Sequence, residues 1–301
     1  MILYLDTETF NTTPIRDGTY AYASTCEVMV VTWAVDDGPV YCWDTTTGTT
    51  MPVDLRHQLN DPEQLVCAHS SMFDRNVLKY ALGVEIPIYR WRDMMVKALA
   101  HGLPGGLDIL GEIFKLPVDQ QKHKTGRALV NLFCKPRPKN SKLLRATRLT
   151  HPVEWAAFLE YARADIEAMR ALDKLLPEWN YGPEELELWH LDQTINDRGM
   201  AVDLDLANAA IAAVETAKKD LAVATLAMTD GEVAAATQRD KLLIHIVKSY
   251  GIELPDMTKS TLERRMADPH LPPELRELLA VRLQACTTST SKYLALVKGT
   301  L

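Results

Sequence analysis

The sequence predicts an α/β fold, with a mixed sheet flanked by helices, followed by a mainly helical second domain. Three observations carry this. The apolar run Ile2-Leu3-Tyr4-Leu5 opens the chain as a buried strand. A β-branched stretch over residues 26–35, the turn Asp36-Asp37-Gly38 and a strand over 39–43 come after it as a meander. A strand feeding a helix comes next, and beyond Pro183 only helical patterns remain. A length of 301 residues suits two domains, divided near Asn180-Tyr181-Gly182-Pro183 into 1–180 and 181–301.

Each element has its own signal. Residues 1–6 form the first strand, and a turn runs from Asn11 to Gly18. Leu65-Val66-Cys67-Ala68 is a short apolar strand, and residues 73–82 read as a helix with Val77, Leu78 and Leu82 on one face. Helices over 94–101 and 107–114 flank the loop Gly102-Leu103-Pro104-Gly105-Gly106. Residues 135–141 are too proline-rich for a helix. A long helix opens at Thr150-His151-Pro152, with Thr150 as its expected cap, and runs to about Leu176. After Pro183, helices are expected over 184–198, 205–228, 241–250, 261–266 and 273–297, with Gly199 and Gly251 at their ends.

Composition narrows the function classes. An apolar fraction of 47% with 24% charged residues suits a globular protein with ample material for a core. No apolar run approaches a membrane span and no basic-then-apolar leader opens the chain, so a cytoplasmic protein without a membrane partner is expected. Five scattered cysteines form no Cys-x-x-Cys pair, which fits reduced, structural thiols. The net charge is −7, yet nine of the 33 Lys and Arg fall between Lys122 and Arg148 with no Asp or Glu among them. Such a stretch is the electrostatic footprint of a polyanion site.

The chemistry starts at Asp6 and Glu8. On a strand their spacing puts both acids on one face, where they repel unless cations compensate. Magnesium or manganese suits carboxylate oxygen, although an ordinary strand end opening into a solvated turn has the same local pattern. Asp74 comes directly after Phe73 at the start of a helix. Tyr161 and Asp165 lie four residues apart on the long helix and share a face that borders its apolar stripe.

Together, Asp6-x-Glu8, Phe73-Asp74 and Tyr161-x-x-x-Asp165 resemble the three motifs of the DEDD exonuclease superfamily in its tyrosine-bearing branch. The likeness extends to the proofreading 3′–5′ exonuclease domain of phage and bacterial family A DNA polymerases. It takes in residues 18–22 with the strand after them, Gly106-Leu107-Asp108-Ile109-Leu110, the segment 122–135, and a join over 191–203 to the start of a polymerase thumb. The resemblance implies a ribonuclease H-like sheet with the first strand central and helices on both faces. It also implies that Asp6, Glu8, Asp74 and Asp165 hold two divalent cations, Mg²⁺ or Mn²⁺, roughly 3.5 to 4 Å apart. Tyr161 would orient the attacking water. Thr7, His69, Lys122, Lys124 and Arg127 would meet the DNA, His69 standing near where the family commonly has an asparagine. The expected partners are single-stranded DNA 3′ ends, duplex DNA through the helical region, and other replication proteins. Thr287 to Lys292 falls where thumbs carry a phosphate-facing stretch, and no palm or fingers come after it. Two other readings stay open: a ribonuclease D-like enzyme trimming RNA 3′ ends, and a DNA-binding module without catalysis.

Overall fold

The computed structural model describes residues 1–117, 126–138, 140–141, 143–286 and 291–300. They form two compact units, Met1–Met200 and Ala201–Thr300. In the first, β1 (Ile2–Phe10) leads through a short helix α1 (Thr19–Ala23) to the pair β2 (Glu27–Val35) and β3 (Tyr41–Asp44). Then come α2 (Val53–Asn60), β4 (Leu65–Ala68), α3 (Ser71–Leu82), β5 (Trp91–Asp93), α4 (Met94–Ala100), α5 (Leu107–Ile113), α6 (Gly126–Phe133), α7 (Pro152–Leu175) and α8 (Pro183–Arg198). The sheet order is β3-β2-β1-β4-β5. β2 and β3 are antiparallel to their neighbours, while β4 and β5 run parallel to β1, so the sheet is mixed and β1 is its centre.

The alternation along β1 distributes its side chains between two layers. Leu3 and Leu5 enter a cluster with Leu55 and Leu59 of α2 and Val77 and Leu78 of α3. Tyr4 points the other way, into a cluster with Met94 of α4, Leu110 of α5 and Ile166, Met169 and Leu172 of α7. Each such side chain, fully buried, contributes about 1.5–3 kcal/mol. The Tyr4 hydroxyl donates to Asp173 at 2.7 Å, and the Lys97 ammonium meets the same carboxylate at 2.7 Å, so the polar atoms that enter this layer are satisfied. Phe133 packs edge-on against Trp155, with centroids 4.9 Å apart, and holds the end of α6 to α7.

Helix α8 belongs to the first unit by its contacts, whereas the composition change near residue 181 groups it with the later helices. Trp189 joins the cluster beneath α3. Arg75 of α3, whose side chain is 7% exposed, donates to both Asp197 and Gln193 of α8, and Tyr20 of α1 donates to Asp197 at 2.7 Å. Burial raises the Asp197 carboxyl, but the Arg75 and Tyr20 hydrogen bonds outweigh it and hold the group below the usual carboxylate range. The native state therefore favours ionised Asp197. Its contribution is complete above the unfolded pKa of about 3.9 and is lost as pH falls through the lower folded value. Asp197→Asn is expected to destabilise the first unit by about 1–3 kcal/mol at pH 7, because it leaves the Arg75 charge poorly compensated. In urea titrations the difference from the parent should shrink below about pH 4. A difference that persists there would remove the ion pair as its cause.

The regular elements described in the second unit are all helices: α9 (Leu204–Met228), α10 (Arg239–Tyr250), α11 (Lys259–Met266), α12 (Pro273–Ala285) and α13 (Ser291–Gly299). Its core joins Leu242 and Ile246 of α10, Leu262 of α11 and Leu275, Leu278 and Leu279 of α12. The Arg282 guanidinium reaches in to donate to the Ala236 carbonyl at 2.7 Å. Asp203 caps α9 through Leu206 N, as an Asp just ahead of a helix does. Among the described residues no helix is long and apolar enough to cross a membrane.

Two expectations need correction. The long helix α7 is capped by His151, without a side-chain hydrogen bond, rather than by Thr150. The Thr150 hydroxyl instead donates to the Thr147 carbonyl at 3.1 Å, because the turn before the helix competes for it. The stretch 273–297 is the two helices α12 and α13 rather than one, and residues 287–290 lie outside the described residues.

Candidate active site

β1 outruns its parallel neighbour. It pairs with β4 only through Ile2, Leu3 and Tyr4, while the β2 ladder continues to Phe10. The stretch from Asp6 to Phe10 thus overhangs the carboxyl end of β4, in the kind of crevice where α/β sheets bind ligands. Asp6 and Glu8 share the face that carries Tyr4, towards α7. Thr7 and Thr9 share the buried face towards α3 and α1: Thr9 is hydrogen bonded to Tyr22 of α1 at 2.8 Å. The register against β2 shifts between Glu8 and Thr9, immediately after the second acid, because β2 carries one extra residue there.

Asp165 of α7 meets Asp6 and Glu8. One carboxylate oxygen from each of the three lies within 4.8 Å of the others, the one such group among the described residues. Asp165 is 5% exposed and Tyr161, one turn earlier, is 4% exposed, so both project into the sheet as their four-residue spacing requires. Asp74 approaches from α3 along the edge that β4 leaves open. Its Oδ1 accepts from the Thr7 amide at 3.0 Å and the Thr7 hydroxyl at 2.6 Å. Burial, and then the Asp6 charge, push the Asp74 carboxyl well above the usual range, against the two Thr7 bonds. The structure therefore brings together all four acids and the tyrosine that the sequence singles out.

Asp6, Glu8 and Asp165 converging in this way, with the Asp74 carboxyl near Asp6, form an oxygen donor set suited to hard divalent cations, which would offset their mutual repulsion. Burial, then the charges of Asp165, Glu8 and Asp6, drive the Tyr161 phenol far upward, so it is a neutral hydroxyl at any physiological pH.

The expected nucleic-acid contacts are placed unevenly. Thr7 spends its amide and hydroxyl on Asp74. His69 is half-buried and its Nε2 pairs with the Gly105 carbonyl at 2.8 Å. Arg127 is exposed on α6. Lys122 and Lys124 lie outside the described residues.

Two supporting residues escaped the sequence reading. Asp93, at the end of β5 and 3% exposed, accepts from Ser70 N, Ser71 N and Ser71 Oγ at the start of α3, and from Met95 N and Val96 N at the start of α4. An Asp directly before the apolar run Met94-Met95-Val96 is a cap signal for α4; its hold on α3 has no local signature. Cys134 is the other. Its thiol donates to Glu8 Oε2 at 3.5 Å, and burial together with the Glu8 charge keeps it protonated. A cavity of about 610 Å³ opens beside Glu8, between Tyr22, Phe73 and the end of α6 at Val130, Cys134 and Lys135.

A mixed sheet whose central strand carries acids past the end of its parallel neighbour, completed by Asp and Tyr from a crossing helix, defines a ribonuclease H-like fold with an acidic site, here joined to a helical region. No protein-family model matches the chain. The chain is similar to the DNA polymerase of Bacillus phage SP02, with 30% identity over 303 residues, a match covering 99% of this chain and 46% of that protein. It thus spans about half the length of the curated relative it matches. Among solved structures, the fold is similar to the POL domain of Pol1 from M. smegmatis in complex with DNA primer-template and dNTP. That likeness has a TM-score of 0.50 and 15% identity, and covers 98% of this chain and 45% of that one. Escherichia coli RNase D, an exoribonuclease involved in structured RNA processing, aligns with a TM-score of 0.43 and 16% identity over 96% of this chain and 71% of that one.

Proposed function

We propose that the chain is a divalent-cation-dependent 3′–5′ exonuclease that hydrolyses phosphodiester bonds at DNA 3′ ends, as the proofreading part of a polymerase-type protein. The observation that carries this is the meeting of Asp6, Glu8 and Asp165 within 4.8 Å, with Asp74 and Tyr161 beside them. Asp6, Glu8, Asp74 and Asp165 would hold two cations, Mg²⁺ or Mn²⁺, which supply charge neutralisation at the phosphate and a lower pKa for the attacking water. Tyr161, a neutral phenol, would orient that water through its hydroxyl. A site built from four acids and one phenol needs no covalent nucleophile. The cavity beside Glu8 has the volume for a terminal nucleotide. Arg127, with Lys122 and Lys124, would neutralise phosphates of the incoming strand. Residues 181–301 read as a thumb-like region that grips duplex, which favours DNA over RNA. Further replication proteins remain proposed partners.

The test is nucleotide release from 3′-labelled single-stranded DNA and a matched RNA, with Mg²⁺, with Mn²⁺ and with chelator. Metal-dependent release of mononucleotides from DNA, lost with chelator, is the expected result, and a mispaired duplex end should be trimmed faster than a paired one. Preferential trimming of RNA would assign the site to the ribonuclease D-like reading. Binding without release would leave only the DNA-binding module.

A further inference from the structure

The proposed reaction depends on where the Tyr161 hydroxyl sits, and the residue that sets this lies on a different helix. Gly126 is the first residue of α6 and is buried. A Cβ built on it would fall 2.2 Å from Tyr161 Cε2, 2.6 Å from Cδ2 and 3.0 Å from Cζ. Non-bonded carbons rest about 3.5–4.0 Å apart, so no side chain fits here unless the ring moves. The ring has little room to do so. It is 4% exposed, it lies nearly parallel to Phe158 at 6.2 Å between centroids, and Phe158 is itself fully buried against Phe133 and Trp155. Glycine is a poor residue for a helix, and a helical position needs no left-handed backbone. Among the described residues, space for the Tyr161 ring is the physical reason for a glycine at this point.

We infer that Gly126 is a positioning residue of the nuclease site, its bare backbone forming the wall that sets the Tyr161 ring and hence the direction of its hydroxyl towards Asp6, Glu8 and Asp165. The inference rests on the nuclease reading above for its kinetic consequence, but not for its geometry. It also gives α6 a second role, since the helix that presents Arg127 to solvent holds the catalytic phenol with its adjacent residue.

The experiment is Gly126→Ala in the intact chain, read in two ways. The first is nucleotide release. A displacement of the phenol by about 1 Å should lower kcat on the order of a hundredfold with KM changed less than about twofold. Ala128→Gly weakens the same helix from its exposed side and should leave kcat unchanged. In a Tyr161→Phe background the hydroxyl is already gone, and adding Gly126→Ala should cost less than about threefold more. The second readout needs no activity. With ¹³C-labelled tyrosine, the Tyr161 resonance, assigned by its absence in Tyr161→Phe, should shift in Gly126→Ala while those of the other tyrosines stay in place. The inference is overturned by an unmoved Tyr161 resonance, or by a Gly126→Ala loss that is as large in the Tyr161→Phe background as in the parent. A parent chain that releases no nucleotide would defeat the nuclease reading alone, and the resonance would still decide whether Gly126 sets the ring.

Discussion

Replacing Asp6 by Asn should reduce nucleotide release by a factor on the order of 10² to 10³ or more, the range seen when one preorganised electrostatic partner is removed from an active site. The same change should stabilise the cation-free protein. Asp6, Glu8 and Asp165 offer carboxylate oxygens within 4.8 Å of one another, and Asp74 lies close enough for the Asp6 charge to raise its pKa. At an effective dielectric of about 20, like charges at such distances repel by a few kcal/mol, so removing one should yield about 1–3 kcal/mol. Thermal melts with and without Mn²⁺ separate the two effects. The parent should gain stability as the cation is added, in proportion to the logarithm of its concentration over the dissociation constant, and Asp6→Asn should respond weakly or not at all. A variant that still releases nucleotides at the parent rate would remove Asp6 from the site.

Asp93→Ala is expected to destabilise the first unit strongly while leaving every proposed cation ligand in place. The carboxylate is the shared cap of α3 and α4, and its loss strands the Ser71 amide and hydroxyl in a buried setting, together with the part-buried amides of Ser70, Met95 and Val96. Loss of one cap costs about 1 kcal/mol and each buried unsatisfied donor about 1–3 kcal/mol, so a total of about 3–5 kcal/mol is expected after relaxation. Ser70 is held at φ 66°, a left-handed conformation a serine rarely adopts, and the Asp93 bond to its amide helps to fix that turn. Urea denaturation should show a lower midpoint with an unchanged slope. Asp93→Asn, which retains an acceptor, should recover part of the loss. If Asp93→Ala matched the parent midpoint, the double cap would contribute nothing to stability. Asp74 stands in the first turn of α3, so the same variant should also lose activity at temperatures where it remains folded.

Much of the site was legible in the chain because two of its parts are local. Asp6 and Glu8 share a face by strand alternation, and Tyr161 and Asp165 share one by the helical repeat, so each pair needs only its own element to be read correctly. Asp74 was legible by order and context rather than geometry. Its partner was not: the Thr7 amide and hydroxyl both donate to Asp74, because β4 ends at Ala68 and leaves that edge of β1 without a strand. Gly199 and Gly251 do stop α8 and α10, both residues adopting positive φ. Short elements escaped: β5 is three residues long, and α6 lies within the basic segment 122–148, where the sequence reading places no helix.

The sequence by itself determined the alternation of β1, the apolar stripe of α7, the acids and phenol those two elements carry, and the helical character of the elements described past Pro183. All of these come from the period of a single strand or helix. Only the tertiary structure decided that Asp93 caps two helices, that Cys134 meets Glu8, that Arg75 ties α3 to Asp197 of α8, and that Gly126 abuts the Tyr161 ring. Each of the last three joins residues far apart in the chain, and each depends on two elements docking in one register. No periodicity within an element encodes which residue of a second element will come to rest against it.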